Sequence, residues 1–158
     1  MRVGIGYDVH PLHPDRDLVI GGIRIESLLG LDGYSDADVL THAVIDSLLG
    51  AAALGDIGQH FPAGDPAYKG VSSQDLLTLA VRAVTDAGYR IVNVDSTVIA
   101  EEPRLQPHLP AIREQLAKTL DVELGAVSVK ATSPEGLGAL GREEGIAAQA
   151  VALIEATG

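Results

Sequence analysis

Apolar and polar residues alternate with a period of two over residues 2–10, the pattern of a strand with one covered face. Residues 17–25, DLVIGGIRI, predict two short strands about Gly21-Gly22, a hairpin. A turn-rich loop follows at 30–38 and runs into 39–54, where the period becomes helical and helix formers dominate. Residues 55–70, rich in Gly, Pro and Asp, read as a long loop of the kind that is often functional. The clearest helix spans 72–88, with Ser72 and Asp75 as a capping box and Gly88 as its stop. Residues 89–100 and 126–133 read as strands, and 108–120 as a helix with Pro110 in its first turn. Residues 146–156 are ambiguous by pattern: the alanines favour a helix, whereas an apolar run this short also suits a buried strand. This order of elements predicts an α/β sandwich.

Composition narrows the chemistry. The 158 residues are 46% hydrophobic and only 3% aromatic, enough for one domain, 1–158, whose core is built from Val, Ile, Leu and Ala. There is no cysteine, which excludes disulfides, thiolate metal sites and thiol nucleophiles. A net charge of −11 without basic clusters argues against nucleic acid as a partner. No apolar stretch is long enough for a membrane span, and no signal peptide is visible, so a cytoplasmic location is expected. An anionic small substrate remains compatible, with cations recruited to hold it.

The first strand closes with Asp8 and His10, whose side chains share a face about 7 Å apart along the chain. His42 lies in the first turns of the following helix. A carboxylate and two imidazoles suit Zn²⁺ with a fourth position open to substrate. Asp46, one turn after His42, is a candidate to orient that ring's free nitrogen. D-x-H is short and common, so an exposed strand end beside an unrelated helix histidine fits the spacing too. His13, His60 and His108 show no partner pattern and read as solvated residues.

Residues 130–142 offer small residues, glycines and the Thr132 and Ser133 hydroxyls, groups that grip phosphate, and Glu135 offers an oxygen to a hard cation such as Mg²⁺. An ordinary Gly-rich turn explains the same residues. Residues 100–108, with Pro103 and Arg104, present free backbone groups near a fixed cation, as a base-binding segment or a plain loop would.

The segments GIGYDVHPL, GGIRI, SDADVLTHAVIDSLLGAAALGDIGQHFP, NVDSTVIAEEPRLQPHLPAIR, VKAT and GREEGIAAQAVAL closely resemble the 2-C-methyl-D-erythritol 2,4-cyclodiphosphate synthase family, nearly end to end. The D-x-H strand, the S-D-x-D-x-x-x-H helix start and the G-D-I-G-x-x-F-P loop are specific in combination. The resemblance implies a lyase of the non-mevalonate route to isoprenoid precursors, releasing CMP from a diphosphocytidyl substrate. It implies zinc on Asp8, His10 and His42, and Mg²⁺ or Mn²⁺ on Glu135 with the substrate diphosphate. Ser35 is the implied contact to substrate phosphate and erythritol, Asp56 and Gly58 to the ribose, and 61–65, with Phe61 and Asp65, to the erythritol end; Ile57 is a further implied substrate contact. Ala100, Pro103, Arg104, Leu105 and Gln106 with Ala131, Thr132 and Ser133 are the implied cytidine pocket. Tyr34, where the family often has His, and Ser133 are the catalytic candidates.

The implied architecture is a two-layer sandwich, α+β in character, with a mixed four-stranded sheet, helices on one face and a small hairpin. The resemblance also implies a homotrimer with sheets toward the axis and active sites between subunits, so 146–156 is assigned to a strand. Arg142 matches an anion contact for an isoprenoid phosphate in the axial cavity. Ala63, Arg104 and Ala139 depart from common family residues, and Ala139 weakens the carry-over of that cavity. A zinc-dependent nucleotide-binding trimer and a metal-dependent phosphohydrolase are the rival readings.

Overall fold

The computed structural model describes residues 1–158. Strand β1 (Arg2–His13) is followed by the hairpin β2 (Leu18–Ile20) and β3 (Ile23–Ile25), then β4 (Gly30–Leu31) and helix α1 (Val39–Ala52). A single turn, α2 (Ile57–His60), precedes α3 (Ser73–Asp86), β5 (Tyr89–Ile99), α4 (Leu109–Leu120) and β6 (Val127–Thr132). The chain ends with the short α5 (Gly138–Gly141) and β7 (Gly145–Ala156). The main sheet has five strands in the order β4-β1-β7-β5-β6, and β2-β3 form a separate two-stranded sheet. Only β5 and β6 run parallel. The fold is therefore α+β with a mixed sheet, as expected, but the sheet has one strand more than the expected four. The addition is the edge strand β4, which pairs Leu31 with Leu12 and Gly30 with His13 because β1 runs on past residue 10.

β7 is a strand despite its alanines because it is central, hydrogen-bonded to β1 on one side and β5 on the other. Ile146, Ala148, Ala150, Ala152 and Ile154 are buried on the helix side, where small side chains let a helix come close. That helix is α1, in which all but two residues are buried. It rests directly on β1: a Cβ at Gly6 would stand 1.9 Å from the Ala43 carbonyl oxygen, and one at Gly4 2.0 Å from that of Ser47. The opposite sheet face is bare. Val3, Ile5, Tyr7, Val9 and Val151 are exposed there, and Ile5 is paired with Val151.

Helix α1 starts at Asp38, a wholly buried residue that ties two elements together. Its carboxylate accepts from the N–H of Gly21 (2.8 Å), Gly22 (2.7 Å) and Thr41 (3.0 Å), and from the Thr41 hydroxyl (2.7 Å). The hairpin at Gly21-Gly22 is thus pinned to the helix start. Asp38→Ala strips a partner from each of these donors, at about 1 kcal/mol apiece, and lowers unfolding stability by about 4 kcal/mol. Urea denaturation measures this; a loss below about 1 kcal/mol contradicts the pinning role.

Two local expectations need correction. Ser72 caps α3 by accepting from Gln74 N–H, and Asp75 makes no bond back, so the capping box is not closed. Residues 55–70 are not a plain loop: Asp56 caps α2, and Asp65 caps a 3₁₀ turn at Pro66–Tyr68. The stop of α3 at Gly88, with φ +85°, is as the sequence suggests.

Candidate metal centre and flanking clefts

Asp8 and His10 lie on the helix-facing side of β1, in phase with Gly4 and Gly6. Because α1 sits on those glycines, His42 in its second turn is delivered directly above them. His10 Nε2 is 2.8 Å from Asp8 Oδ2, His42 Nδ1 is 2.9 Å from the same oxygen, and the two nitrogens are 3.1 Å apart. Three ligand atoms converging on one point match a tetrahedral Zn²⁺ site, whose ligand atoms stand about 3.3 Å apart. The outer ring nitrogens are anchored as a metal site requires. His10 Nδ1 is 3.1 Å from the Asp32 carbonyl oxygen, and His42 Nε2 is 2.8 Å from Ser73 Oγ and 3.2 Å from Ser35 Oγ. The donor set thus fits a divalent cation.

Burial pushes the Asp8 carboxyl up, but the hydrogen bonds and charges of His10 and His42 outweigh it and hold its pKa at about 2. Burial pushes His10 down, yet the Asp8 carboxylate raises it overall. Asp8 thus keeps its negative charge despite burial because two imidazoles flank it, which suits a cation ligand.

Asp46 does not orient His42. Its Oδ1 accepts from Ile57 N–H at 2.7 Å, so it fixes the start of α2, and burial raises its pKa. His60 is not simply solvated either. It is half-buried, with Nε2 2.9 Å from the Leu54 carbonyl oxygen. Arg16, absent from the sequence-based candidates, braces the loop before α1 by donating to the carbonyls of Leu31, Gly33 and Ser35.

Beside the centre opens a cleft of about 250 Å³ lined by Asp8, His10, His42, Tyr34, Ser35, Ile57, Gly58 and Phe61, together with Ala63, Tyr68 and Leu76. Tyr68 and Leu76 were not singled out from sequence; their aromatic and aliphatic character is a common core signal. The Tyr34 hydroxyl donates to the Asp65 carbonyl (3.0 Å), tying the cleft lining to the segment just outside it. Asp56 and Asp65 lie outside the lining. The exposed Asp56 carboxylate accepts from Gln59 N–H and Nε2, which lowers its pKa.

A second cleft of about 310 Å³ gathers Ala100, Pro103, Arg104, Leu105, Gln106, Ala131, Thr132 and Ser133 with Glu101 and Glu102. It shares no lining residue with the first. Ser133 donates to Glu101 Oε2 (3.1 Å) and accepts from Glu135 N–H (2.9 Å), and Gly136 N–H also donates to Glu101 (3.1 Å). Glu101 thereby closes the 133–136 turn and leaves the exposed Glu135 side chain clear of it. Arg142 is paired with Glu144 at 2.9 Å on the surface.

Fold and centre together define a small α+β protein with a carboxylate–imidazole site suited to a divalent cation beside a cleft of about 250 Å³. The pattern of the YgbB family matches residues 1–155, and the chain belongs to that family. The 2-C-methyl-D-erythritol 2,4-cyclodiphosphate synthase of Syntrophomonas wolfei is 57% identical over 155 residues, 98% of this chain and 99% of that one. The synthase of Symbiobacterium thermophilum is 57% identical over 154 residues, 98% of each. Among solved structures, a 2-C-methyl-D-erythritol 2,4-cyclodiphosphate synthase in its CDP-bound form superposes with a TM-score of 0.90 at 32% identity, covering 98% of this chain and 100% of that chain. The bifunctional IspDF of Campylobacter jejuni superposes with a TM-score of 0.94 at 38% identity; the match covers 98% of this chain and 42% of that longer one.

Proposed function

We infer that this chain is a lyase that converts 4-diphosphocytidyl-2-C-methyl-D-erythritol 2-phosphate into 2-C-methyl-D-erythritol 2,4-cyclodiphosphate and CMP, the cyclisation step of the non-mevalonate pathway. The observation that carries this reading is the convergence of Asp8, His10 and His42 at the edge of a cleft in a chain 57% identical to a named synthase. An oxygen of the 2-phosphate attacks the β-phosphorus, the bond from that phosphorus to the oxygen of the α-phosphate breaks, and CMP leaves with the electron pair. Asp8, His10 and His42 would hold Zn²⁺, and Mg²⁺ or Mn²⁺ would come with the diphosphate; bound there, the cations would supply positive charge against the repulsion of two anionic phosphates.

The chain's own residues do the positioning. Ser35 presents a hydroxyl at the rim of the centre, and Tyr34 adds a second in the same wall. Ile57, Phe61 and Leu76 give that cleft an apolar side suited to the methylated carbon skeleton. Holding a flexible chain in its ring-closing shape supplies roughly 7–11 kcal/mol of the barrier reduction. No protein nucleophile is required. In the second cleft, Ala100 to Gln106 and Ala131 to Ser133 hold the cytidine; Ser133, with Glu101 behind it, faces the diphosphate.

The two clefts on separate parts of one chain support a homotrimer in which one subunit's metal side meets its neighbour's nucleotide side. The bare apolar sheet face supplies the surface for that assembly. Arg142 is the anion contact proposed for an isoprenoid phosphate on the axis. No helix is long and apolar enough to cross a membrane; a cytoplasmic location is part of the same proposal.

Phosphorus NMR of the reaction with the diphosphocytidyl substrate tests the reading. A cyclic diphosphate with CMP is expected; linear hydrolysis products, or binding without turnover, overturn it. Glu135→Gln is expected to raise the Mg²⁺ concentration for half-maximal rate about tenfold while zinc content stays that of the parent. An unchanged Mg²⁺ titration removes Glu135 from the second cation.

A further inference from the structure

Two serine hydroxyls lie within reach of the outer nitrogen of His42, and counting their protons separates their roles. His42 points Nδ1 at Asp8 and His10, so that nitrogen must keep its lone pair for a cation and Nε2 must carry the ring proton. Ser73 Oγ, at 2.8 Å, and Ser35 Oγ, at 3.2 Å, are its neighbours. A serine hydroxyl has a single proton to give. The Ser73 proton goes to Asp36 Oδ1, a short contact with a group that, ionised, only accepts. Ser73 therefore turns its lone pairs to His42 and receives the Nε2–H.

The pairing is built in. Ser73 is fully buried as the first residue of α3. Its own N–H donates to Asp36 Oδ2 at 2.9 Å, so the Asp36 carboxylate grips it through backbone and side chain together. Asp36 Oδ1 also accepts from Asp38 N–H (3.2 Å), and Asp36 N–H donates to the Val71 carbonyl (3.1 Å). Ser35 differs. Its oxygen accepts from Ala37 N–H at 3.2 Å, and no acceptor fixes its proton. That proton is free to turn into the cleft that Ser35 lines.

We propose that Asp36 and Ser73 are the positioning residues of the metal centre: Ser73 receives the His42 Nε2 proton, Asp36 holds Ser73 as an acceptor, and Ser35 is thereby left to donate to a phosphate oxygen. The carboxylate polarises the imidazole N–H through the hydroxyl and makes Nδ1 a better ligand. This rests on the reading that Asp8, His10 and His42 bind a divalent cation.

The test is Zn²⁺ affinity by competition with a chromophoric chelator, together with the His42 Nε2–H resonance of the zinc-loaded, ¹⁵N-labelled protein. Ser73→Ala is expected to weaken Zn²⁺ by about 10- to 100-fold and to lose the protected resonance. Ser73→Thr, which keeps the hydroxyl, is expected to return affinity to within about threefold of the parent, as is Ser35→Ala, which also keeps the resonance. If Ser73→Ala does not fold, Asp36→Asn is read in its place, with several-fold weaker Zn²⁺ and an upfield shift of the same resonance. Parent-like affinity and resonance in Ser73→Ala, or their loss in Ser35→Ala alone, overturns the assignment of the two hydroxyls. Failure of the parent protein itself to bind Zn²⁺ overturns the metal reading instead.

Discussion

His42→Ala should leave a folded chain that no longer retains zinc and turns over on the order of 10³-fold more slowly or worse. The imidazole is the ligand that comes from α1, whereas Asp8 and His10 both come from β1. Removing it would leave two of the three proposed ligands, too few to hold Zn²⁺ against water. The fold should survive because the caps of α1 at Asp38 and Ala53 and its buried apolar residues are left in place. Metal content after dialysis, circular dichroism and product formation should be measured on one preparation. Full activity with metal present in excess would defeat the assignment.

Gly6→Ala should be the more disruptive change to the chain itself, although it adds only a methyl group. The new Cβ would lie 1.9 Å from the Ala43 carbonyl oxygen and 2.8 Å from Ser47 N, both backbone atoms that no rotamer change can move aside. Helix α1 must lift by roughly 1 Å or more to restore van der Waals distance. Ala43 adjoins His42, so the lift carries the imidazole away from Asp8. Expected losses are about 3 kcal/mol of stability and at least about tenfold in Zn²⁺ affinity. Gly125→Ala is the control, since nothing lies within 4 Å of a Cβ there, and it should be near neutral. Equal behaviour of the two variants in denaturation and zinc titration would show that the close contact of α1 with β1 is not what places the ligand.

Much of this arrangement is legible in the residues before any coordinates. Alternation exposes β1, the Gly21-Gly22 pair marks the hairpin, and the D-x-H spacing with His42 picks out all three candidate ligands. β7 is different: Ala147, Ala148, Ala150 and Ala152 have helical preference, and only its place between β1 and β5 makes the extended form win. Residue pattern alone leaves it open, and the family resemblance decides it. Asp46 shows the limit of one-turn spacing. It follows His42 by four residues, yet Ile57 N–H captures its carboxylate. The Asp36–Ser73 pair is invisible to spacing because it joins residues 37 apart across two elements. β4 is too short, at two residues, to announce itself by periodicity.

Val9 sits between Asp8 and His10 but projects to the bare face of the sheet, where it remains 46% exposed. One pleat of backbone thus separates whatever docks on that surface from both β1 side chains of the centre. If the proposed trimer forms through this face, a shift in how its subunits seat would reach the centre as a local change of strand twist, with no moving loop or hinge between. Seating at that face and ligand geometry would then be mechanically one adjustment.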